Sequence, residues 1–312
     1  MCIQINTKYR IFAFVHLNSF VILSQTPMKS RFHNSTVIIT GAASGMGHEL
    51  ALQAASKGAR VIATDVNETG LAETAALAAK QGFMLETHRL NVANIDEITT
   101  FAANILPTLT NTRLILINNA GVAIVGGAFW EVSADDAEWL LNINLWGVLR
   151  MTRAFLPFML AENDGHIVNI SSVFGLAGMA RHSAYSTAKF AVRGFTESLR
   201  MELLGKNIET TCVHPGGIKT SIYEHSRRTN HLDSPAMRDI GNKEFLQSAR
   251  TTAAEAARQI LSAVEHRKRR LLIGADARFI DLITRLAPVR YSRILSIITN
   301  RLFRDSVIKL SS

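Results

Sequence analysis

Residues 36–47 read TVIITGAASGMG, and this stretch decides the fold. Thr36 to Thr40 is a short β-branched run, the pattern of a buried strand. Glycines follow at 41, 45 and 47 in the spacing G-x-x-x-G-x-G. His48 to Lys57 then has helical character, and Gly58 ends it. Arg60 to Thr64 is a second strand, closed by Asp65. Strand, glycine turn, helix and strand in this order open a mononucleotide-binding half. The first turn of such a helix presents unpaired N–H groups and the positive end of its dipole, and glycines let the backbone approach a pyrophosphate closely. No Lys-Ser/Thr pair follows the glycines, which disfavours a nucleoside-triphosphate loop.

The alternation continues outward. Glu68 to Gln81 reads as helix, Phe83 to Leu90 as strand, Ile95 to Leu106 as helix and Leu114 to Ile117 as strand. Ala134 to Leu160 carries two helical stretches, or one long one ending near Pro157. His166 to Ile170 is a fifth strand, Ala184 to Leu204 a long helix, Ile208 to Val213 a sixth strand, Thr252 to Val264 a helix and Arg270 to Ile273 a seventh strand. Residues 221–249 are polar and irregular, with weak helical patches. Short apolar strands between helices predict an α/β, Rossmann-like, doubly wound parallel sheet of about seven strands with helices on both faces. No composition break, repeat or low-complexity tract interrupts 35–274.

Composition fits a globular chain. Of 312 residues, 47% are apolar and 19% charged, ample for a core. Cys2 and Cys212 form no C-x-x-C pair, so neither a disulfide framework nor a zinc site is expected. The net charge of +9 is concentrated at one end: His266 to Ser312 holds eleven Lys/Arg against three Asp/Glu. The body is almost neutral, which argues against a nucleic-acid partner. Near the other end, Ile11 to Leu23 (IFAFVHLNSFVIL) follows Lys8 and Arg10. That run is shorter than the roughly 20 residues that span a bilayer. It reads as a signal-peptide core without a clean cleavage site, a weak anchor, a disordered extension, or sequence upstream of a native start at Met28. Residues 1–34 are set apart on that basis.

Asp65 lies eighteen residues beyond Gly47. A carboxylate there can accept hydrogen bonds from an adenosine ribose and repels a 2′-phosphate. Neither Val66 nor Asn67 is basic, nor is Ser44, so the pattern favours NAD over NADP; the competing reading is a helix cap. Asn118, Asn119, Ala120 and Gly121 follow the fourth strand, where such sheets bind ligands. Ser171 and Ser172 follow the fifth. Tyr185 comes thirteen residues after Ser172, and Lys189 one helical turn later on the same face. A lysine beside a phenol favours the phenolate, which can take a proton from an alcohol.

With these motifs in this order, the chain resembles a classical short-chain dehydrogenase/reductase from about residue 34 to 274. The glycine turn, Asn118 to Gly121, Asn144, Ser172, Tyr185-x-x-x-Lys189 and Pro215-Gly216 carry the resemblance. It implies hydride transfer between a nicotinamide cofactor and an alcohol or carbonyl group. Tyr185 would be the general acid/base. Lys189 would bind the nicotinamide ribose and depress the tyrosine pKa, and Ser172 would hold the substrate oxygen. Asn144 would hold a water that links Lys189 to solvent, with Asn142 the weaker candidate. Cofactor contacts would come from Gly41, Ser44, Gly45, Met46, Gly47, Asp65, Asn91, Val92, Asn119, Ala120, Gly121, Tyr185, Lys189, Pro215, Gly216, Ile218 and Thr220. No metal is implied. The sequence departs from the family with Asn91 where an Asp is common, and with His48 where a basic residue is usual.

The resemblance places a substrate lid over 221–249, including Tyr223, His225, Arg227, Arg228, His231 and Met237, to which no chemistry is assigned. Phe174 and the stretch Leu176 to His182 read either as an apolar substrate wall or as loop packing. Residues 275–312 form a basic amphipathic tail: Ala277 to Leu286, then Tyr291 to Phe303 after Pro288. It can pack on a partner subunit, cover the substrate entrance or lie on an anionic membrane. A homodimer or homotetramer is expected through the Tyr-Lys helix and the helix before it, using Phe190, Val192, Phe195 and Leu199. The expected setting is cytoplasmic, with peripheral membrane contact through the tail as an option. Two competing readings are a non-catalytic nucleotide-binding regulator, disfavoured by the intact Ser-Tyr-Lys set, and a sugar-nucleotide epimerase or dehydratase, disfavoured by the glycine spacing.

Overall fold

The computed structural model describes residues 30–125, 127–228 and 234–297. Readings that rest on residues 1–29, on His231, on the Met237 side chain and on the tail beyond 297 lie outside this set.

A parallel sheet of seven strands carries the molecule. Its members are β1 (Ser35–Thr40), β2 (Arg60–Asp65), β3 (Leu85–Arg89), β4 (Arg113–Asn118), β6 (Gly165–Ile170), β7 (Ile208–Pro215) and β11 (Arg270–Ile273). Their spatial order is β11-β7-β6-β4-β1-β2-β3. The order reverses between β1 and β4, so the loops leaving these two strands diverge and open a crevice at their carboxyl ends. Minor strands β5 (Ile124–Val125), β8 (Ile218–Lys219), β9 (Arg227–Arg228) and β10 (Thr251–Thr252) pair outside the sheet, β5 with β9 and β8 with β10.

Helices α1 (Gly45–Ser56), α2 (Glu68–Lys80) and α8 (Ala253–Glu265) cover one face, where Leu50, Ala54, Leu71, Ile260 and Leu261 pack on Val37, Ile39 and Ile115. Helices α3 (Ile95–Ile105), α5 (Gly147–Glu162) and α6 (Ser183–Glu202) cover the other, where Phe101, Met151, Phe155 and Leu199 pack on Ile38, Leu114 and Leu116. Both faces of β1 and β4 are therefore dry. This is why those strands read as unbroken apolar runs rather than alternating ones.

Three local features refine or depart from the sequence reading. The stretch 134–160 holds two helical stretches, the first of its two readings, and the second of them does not end near Pro157. Helix α4 (Ala134–Leu141) passes through a π turn, Asn142–Trp146, into α5, which runs on through Pro157 to Glu162. Pro157 and Arg153 are both exposed, so the carbonyl that loses its amide partner can turn to water. The region 221–249 holds a regular helix, α7 (Pro235–Ser248), whose sequence lacks a clean apolar stripe. It is fixed by stacking of Phe245 on Tyr223, with ring centroids 5.4 Å apart. At the other end, Ser30 to Asn34 turn back onto the body. Phe32 is fully buried, and Arg31 N donates to Glu265 Oε2 at 2.9 Å.

The tail begins with α9 (Ala275–Leu286), and the chain is helical again over 291–297. Among the described residues no helix is long and apolar enough to cross a membrane, and no cluster of three or more His, Cys, Asp or Glu could hold a metal.

Candidate active site

The glycine turn lies at the carboxyl end of β1, against the loop leaving β4. Gly41 and Gly45 have φ values of 70° and 54°, which L side chains rarely adopt. A Cβ on Gly41 would lie 2.8 Å from Ala120 Cα, and one on Gly47 would lie 1.9 Å from Gly41 O. The turn can close this tightly only with glycine. Thr40 locks the two loops together, its Oγ1 accepting from both Asn119 N and Ala120 N at 3.0 Å. Asn119 Nδ2 donates back to Thr40 O at 2.9 Å and Gly41 O at 3.1 Å. Ser44 precedes α1 but its side chain caps nothing, which leaves the first-turn amides of Gly45, Met46 and Gly47 for an anionic group.

Asp65 ends β2 beside this turn. Its Oδ2 accepts from Ala43 N and its Oδ1 from Asn67 N, both at 3.0 Å. One lone-pair site on each oxygen is thereby used on the backbone, and the others can take ribose hydroxyls. Asn91 uses its Oδ1 on Ala93 N at 3.0 Å, so its remaining acceptor capacity and its amide are what it can offer an adenine. Val92 packs against Gly147, where a Cβ would lie 2.8 Å from it. His48 bonds to Thr74 at 2.8 Å, so it braces α1 against α2. Across the crevice Thr220 lies over the glycine turn, with its Cγ2 3.2 Å from where a Cβ on Gly45 would sit. Ile218 is buried in the core. A cleft of about 310 Å³ between the turn and the lid is lined by Gly45, Lys219, Thr220, Ser221, Glu224, Asn242 and Leu246.

The chemical groups converge one crevice away. Ser172 follows β6, and Tyr185 and Lys189 face the same way on α6, with Lys189 Nζ 5.5 Å from the phenol ring centre. Lys189 is buried, and its ammonium donates to Ile170 O at 3.0 Å. Burial pushes it down to about 8. Burial pushes the Tyr185 phenol up to about 12, against a hydrogen bond with Ser172 that pulls it down. In the chain alone, then, the pull toward the phenolate comes from Ser172, and burial outweighs it. Asn144 sits fully buried in the π turn. Its Oδ1 accepts from Val122 N, and its Nδ2 donates to Val122 O, both at 2.8 Å. A Cβ on Gly121 would lie 3.3 Å from Asn144 Oδ1 and 3.6 Å from Lys189 Nζ, so Gly121 is the spacer between them. Asn142 points elsewhere, toward Arg150 at 3.4 Å.

Residues 35–231 match the short chain dehydrogenase family. The chain belongs to that family. SadH of Mycobacterium tuberculosis, named as an oxidoreductase, is 36% identical over 269 residues, covering 86% of this chain and 96% of its own length. Mouse epidermal retinol dehydrogenase 2 is 34% identical over 258 residues, covering 81% and 78%. Among solved structures, a short chain dehydrogenase/reductase from Burkholderia phymatum in complex with NAD superposes with a TM-score of 0.71 at 28% identity, covering 85% of this chain and 95% of its own. The protein is an NAD(P)-dependent oxidoreductase with the Rossmann-like fold of that family.

In this short-chain dehydrogenase several residues that sequence motifs do not single out shape the site. Thr40 is one. His214 is another: buried at the end of β7, it donates from Nδ1 to Ser172 O at 3.0 Å, and burial pushes it down to about 4. Asp276, beyond the family core, accepts from Gly217 N at 2.7 Å. The apolar stretch after Ser172 divides. Leu176 and Ala177 are buried in loop packing, while Phe174 stands edge-on to Tyr185, with ring centres 5.9 Å apart. In the lid, Arg227 is spent on Asp136 at 2.7 Å and on the Trp139 ring. On α6, Val192 and Leu199 face the core; of the four residues expected at an interface, Phe190 is exposed and Phe195 partly buried.

Proposed function

We propose that this chain is an NAD-dependent dehydrogenase that interconverts a sizeable apolar alcohol and its ketone or aldehyde, with Tyr185 as general acid/base. The observation that carries the reading is the convergence of Ser172, Tyr185 and Lys189 beside Gly121, on the nicotinamide side of a glycine turn fit for a pyrophosphate. When bound, the cofactor accepts or supplies the hydride. The protein handles the proton. Ser172 holds the substrate oxygen against the Tyr185 hydroxyl, so the proton moves between that oxygen and the phenol as the C–H bond changes. Lys189 would hold the ribose hydroxyls, and its ammonium, on the same face of α6 as the phenol, would favour the phenolate. Val122 takes one acceptor site and one N–H of the Asn144 side chain and fixes it beside Lys189, so the capacity that remains on Asn144 is what could hold a relay water.

Asp65 with no basic neighbour at 66 or 67 supports NAD over NADP. Phe174 against the phenol, the apolar group formed by Ile124, Leu140 and Ala188 around Tyr185, and the neutralised Arg227 support an apolar substrate over a carboxylate. The mouse relative named for retinol agrees. We take 35–274 as the catalytic domain and the tail as an addition to it. We further propose a cytoplasmic homodimer or homotetramer that pairs through α5 and α6, where Leu160, Phe190 and Met201 are exposed, as is Trp146 in the π turn just before α5. The tail's exposed Leu282, Leu286 and Val289 are the surface for any peripheral membrane contact. The test is a screen of NAD reduction over alcohols from short diols to steroids and retinol. Turnover of the large apolar alcohols is expected. Turnover confined to short polar ones would defeat the substrate class, and tight cofactor binding with no alcohol or carbonyl turnover would defeat the reaction.

A further inference from the structure

We infer that Asp276 is a positioning residue for the cofactor, and that α9 is a brace setting the turn Pro215 to Gly217 against the turn that carries Ser172. This rests on the reading of the site given above.

The amides of the turn between β7 and β8 donate to groups outside it. Gly216 N donates to Ile273 O at 2.9 Å, and the next amide, Gly217 N, donates to Asp276 Oδ2 at 2.7 Å. The carboxylate also occupies the space over Gly216: a Cβ there would lie 2.1 Å from Oδ2 and 2.2 Å from Oδ1. Asp276 is the second residue of α9, so its negative charge faces the positive end of the helix dipole and its position is favoured from both sides. A hydrogen bond from an amide to a carboxylate is among the stronger kinds available to a backbone.

The helix bearing Asp276 is itself anchored. Arg270, on β11, makes two bonds to Asp281, at 3.0 and 2.5 Å, and Arg285 is a second partner, its Nε 3.1 Å from both carboxylate oxygens. Arg270 holds the Asp281 carboxyl down at about 2. The same helix packs on the turn Val173–Gly175, next to Ser172. Beyond it, Tyr291 Oη accepts from Gly178 N at 3.3 Å. One rigid element thus touches the loop leaving β6 and the loop leaving β7. The first carries the substrate-binding hydroxyl. The second lies where the nicotinamide end of the cofactor is read to sit. Helix α9 fixes the gap between them.

The experiment is calorimetric titration of the full chain with NAD and NADP, for wild type, Asp276→Ala and Asp276→Asn, with a thermal melt of each. Alanine removes the acceptor and leaves Gly217 N free. Asparagine keeps an acceptor oxygen of the same reach without the charge. Cofactor affinity is expected to fall about tenfold in Asp276→Ala, about 1.4 kcal/mol, and to return to within about threefold of wild type in Asp276→Asn, with all three melting within a few degrees. Unchanged affinity in Asp276→Ala would overturn the inference. So would equal loss in both variants, or a loss matched by a large drop in melting temperature, because each would mean that the hydrogen bond to Gly217 is not what positions the cofactor. If wild type binds neither cofactor, it is the reading of the site that fails.

Discussion

Lys189 is a charged group the fold holds at a loss, and removing it makes a quantitative test. It is buried, its ammonium donates only to Ile170 O among the described residues, and burial lowers its pKa from 10.5 to about 8. At pH 7 the folded chain therefore carries an ammonium that would be better solvated unfolded, a difference of roughly 3 kcal/mol at 1.36 kcal/mol per pKa unit. Lys189→Met keeps the length of the side chain and removes the charge. Losing the bond to Ile170 O gives back about 1 kcal/mol. The variant should be more stable than wild type by about 2 kcal/mol at pH 7, which is roughly 4–8 °C in melting temperature for a chain of this size. It should also be inactive. The sign with pH follows from linkage. Between the folded value near 8 and the unfolded 10.5 the unfolded state binds more protons, so this group's contribution to stability rises with pH over that window. The advantage of Lys189→Met is full below pH 8 and shrinks toward pH 10. Thermal melts of both proteins at pH 7 and pH 10 measure it, and Tyr185 ionisation in the unfolded chain is common to both. A variant less stable than wild type at pH 7, or a gap that stays constant to pH 10, would refute the reasoning.

Other outcomes follow from the same geometry. Gly47→Ala places a methyl 1.9 Å from Gly41 O and 2.6 Å from Asn119 Nδ2, so it should abolish cofactor binding in calorimetry; binding at wild-type strength would mean the turn is not the phosphate site. Wild type should bind NAD more tightly than NADP, and replacing Asp65 with Ser together with Val66 by Arg should reverse the order. Unaltered preference in that double variant would take Asp65 off the ribose. Asn144→Asp puts a carboxylate oxygen against Val122 O in place of the donating amide, at a fully buried side chain. It should lower the melting temperature by several degrees, as expected for about 1–3 kcal/mol from one buried unpaired group; an unchanged melt would mean the pair does not hold the π turn.

The sheet was legible because its strands are buried on both faces, so Thr36–Thr40 and Leu114–Ile117 stand out as unbroken apolar runs between amphipathic helices. The glycine turn, Ser172 and the Tyr185–Lys189 pair were legible because chemistry restricts the residue type at each position and local structure restricts the spacing. Other features depend on contacts across the chain. Helix α7 has no apolar stripe to announce it and is held by Tyr223 on Phe245. The π turn at Asn144 coincides with a bond to Val122, 22 residues away, which no local pattern announces. Asp276 looks like any acid in the first turn of a helix until β11 brings it beside β7. Expected roles shift for the same reason: Val192 and Leu199 are as apolar as an interface needs, but α6 turns them inward.

The most direct test of the whole account is the rate of nicotinamide reduction by wild type and Tyr185→Phe on one alcohol substrate, with NAD affinity measured alongside. The phenyl ring keeps the packing against Phe174 and removes only the hydroxyl. NAD affinity should stay within a few-fold of wild type while turnover falls by roughly 10²–10⁴-fold, the range for losing a positioned proton donor or acceptor. Turnover in Tyr185→Phe equal to that of wild type would contradict it.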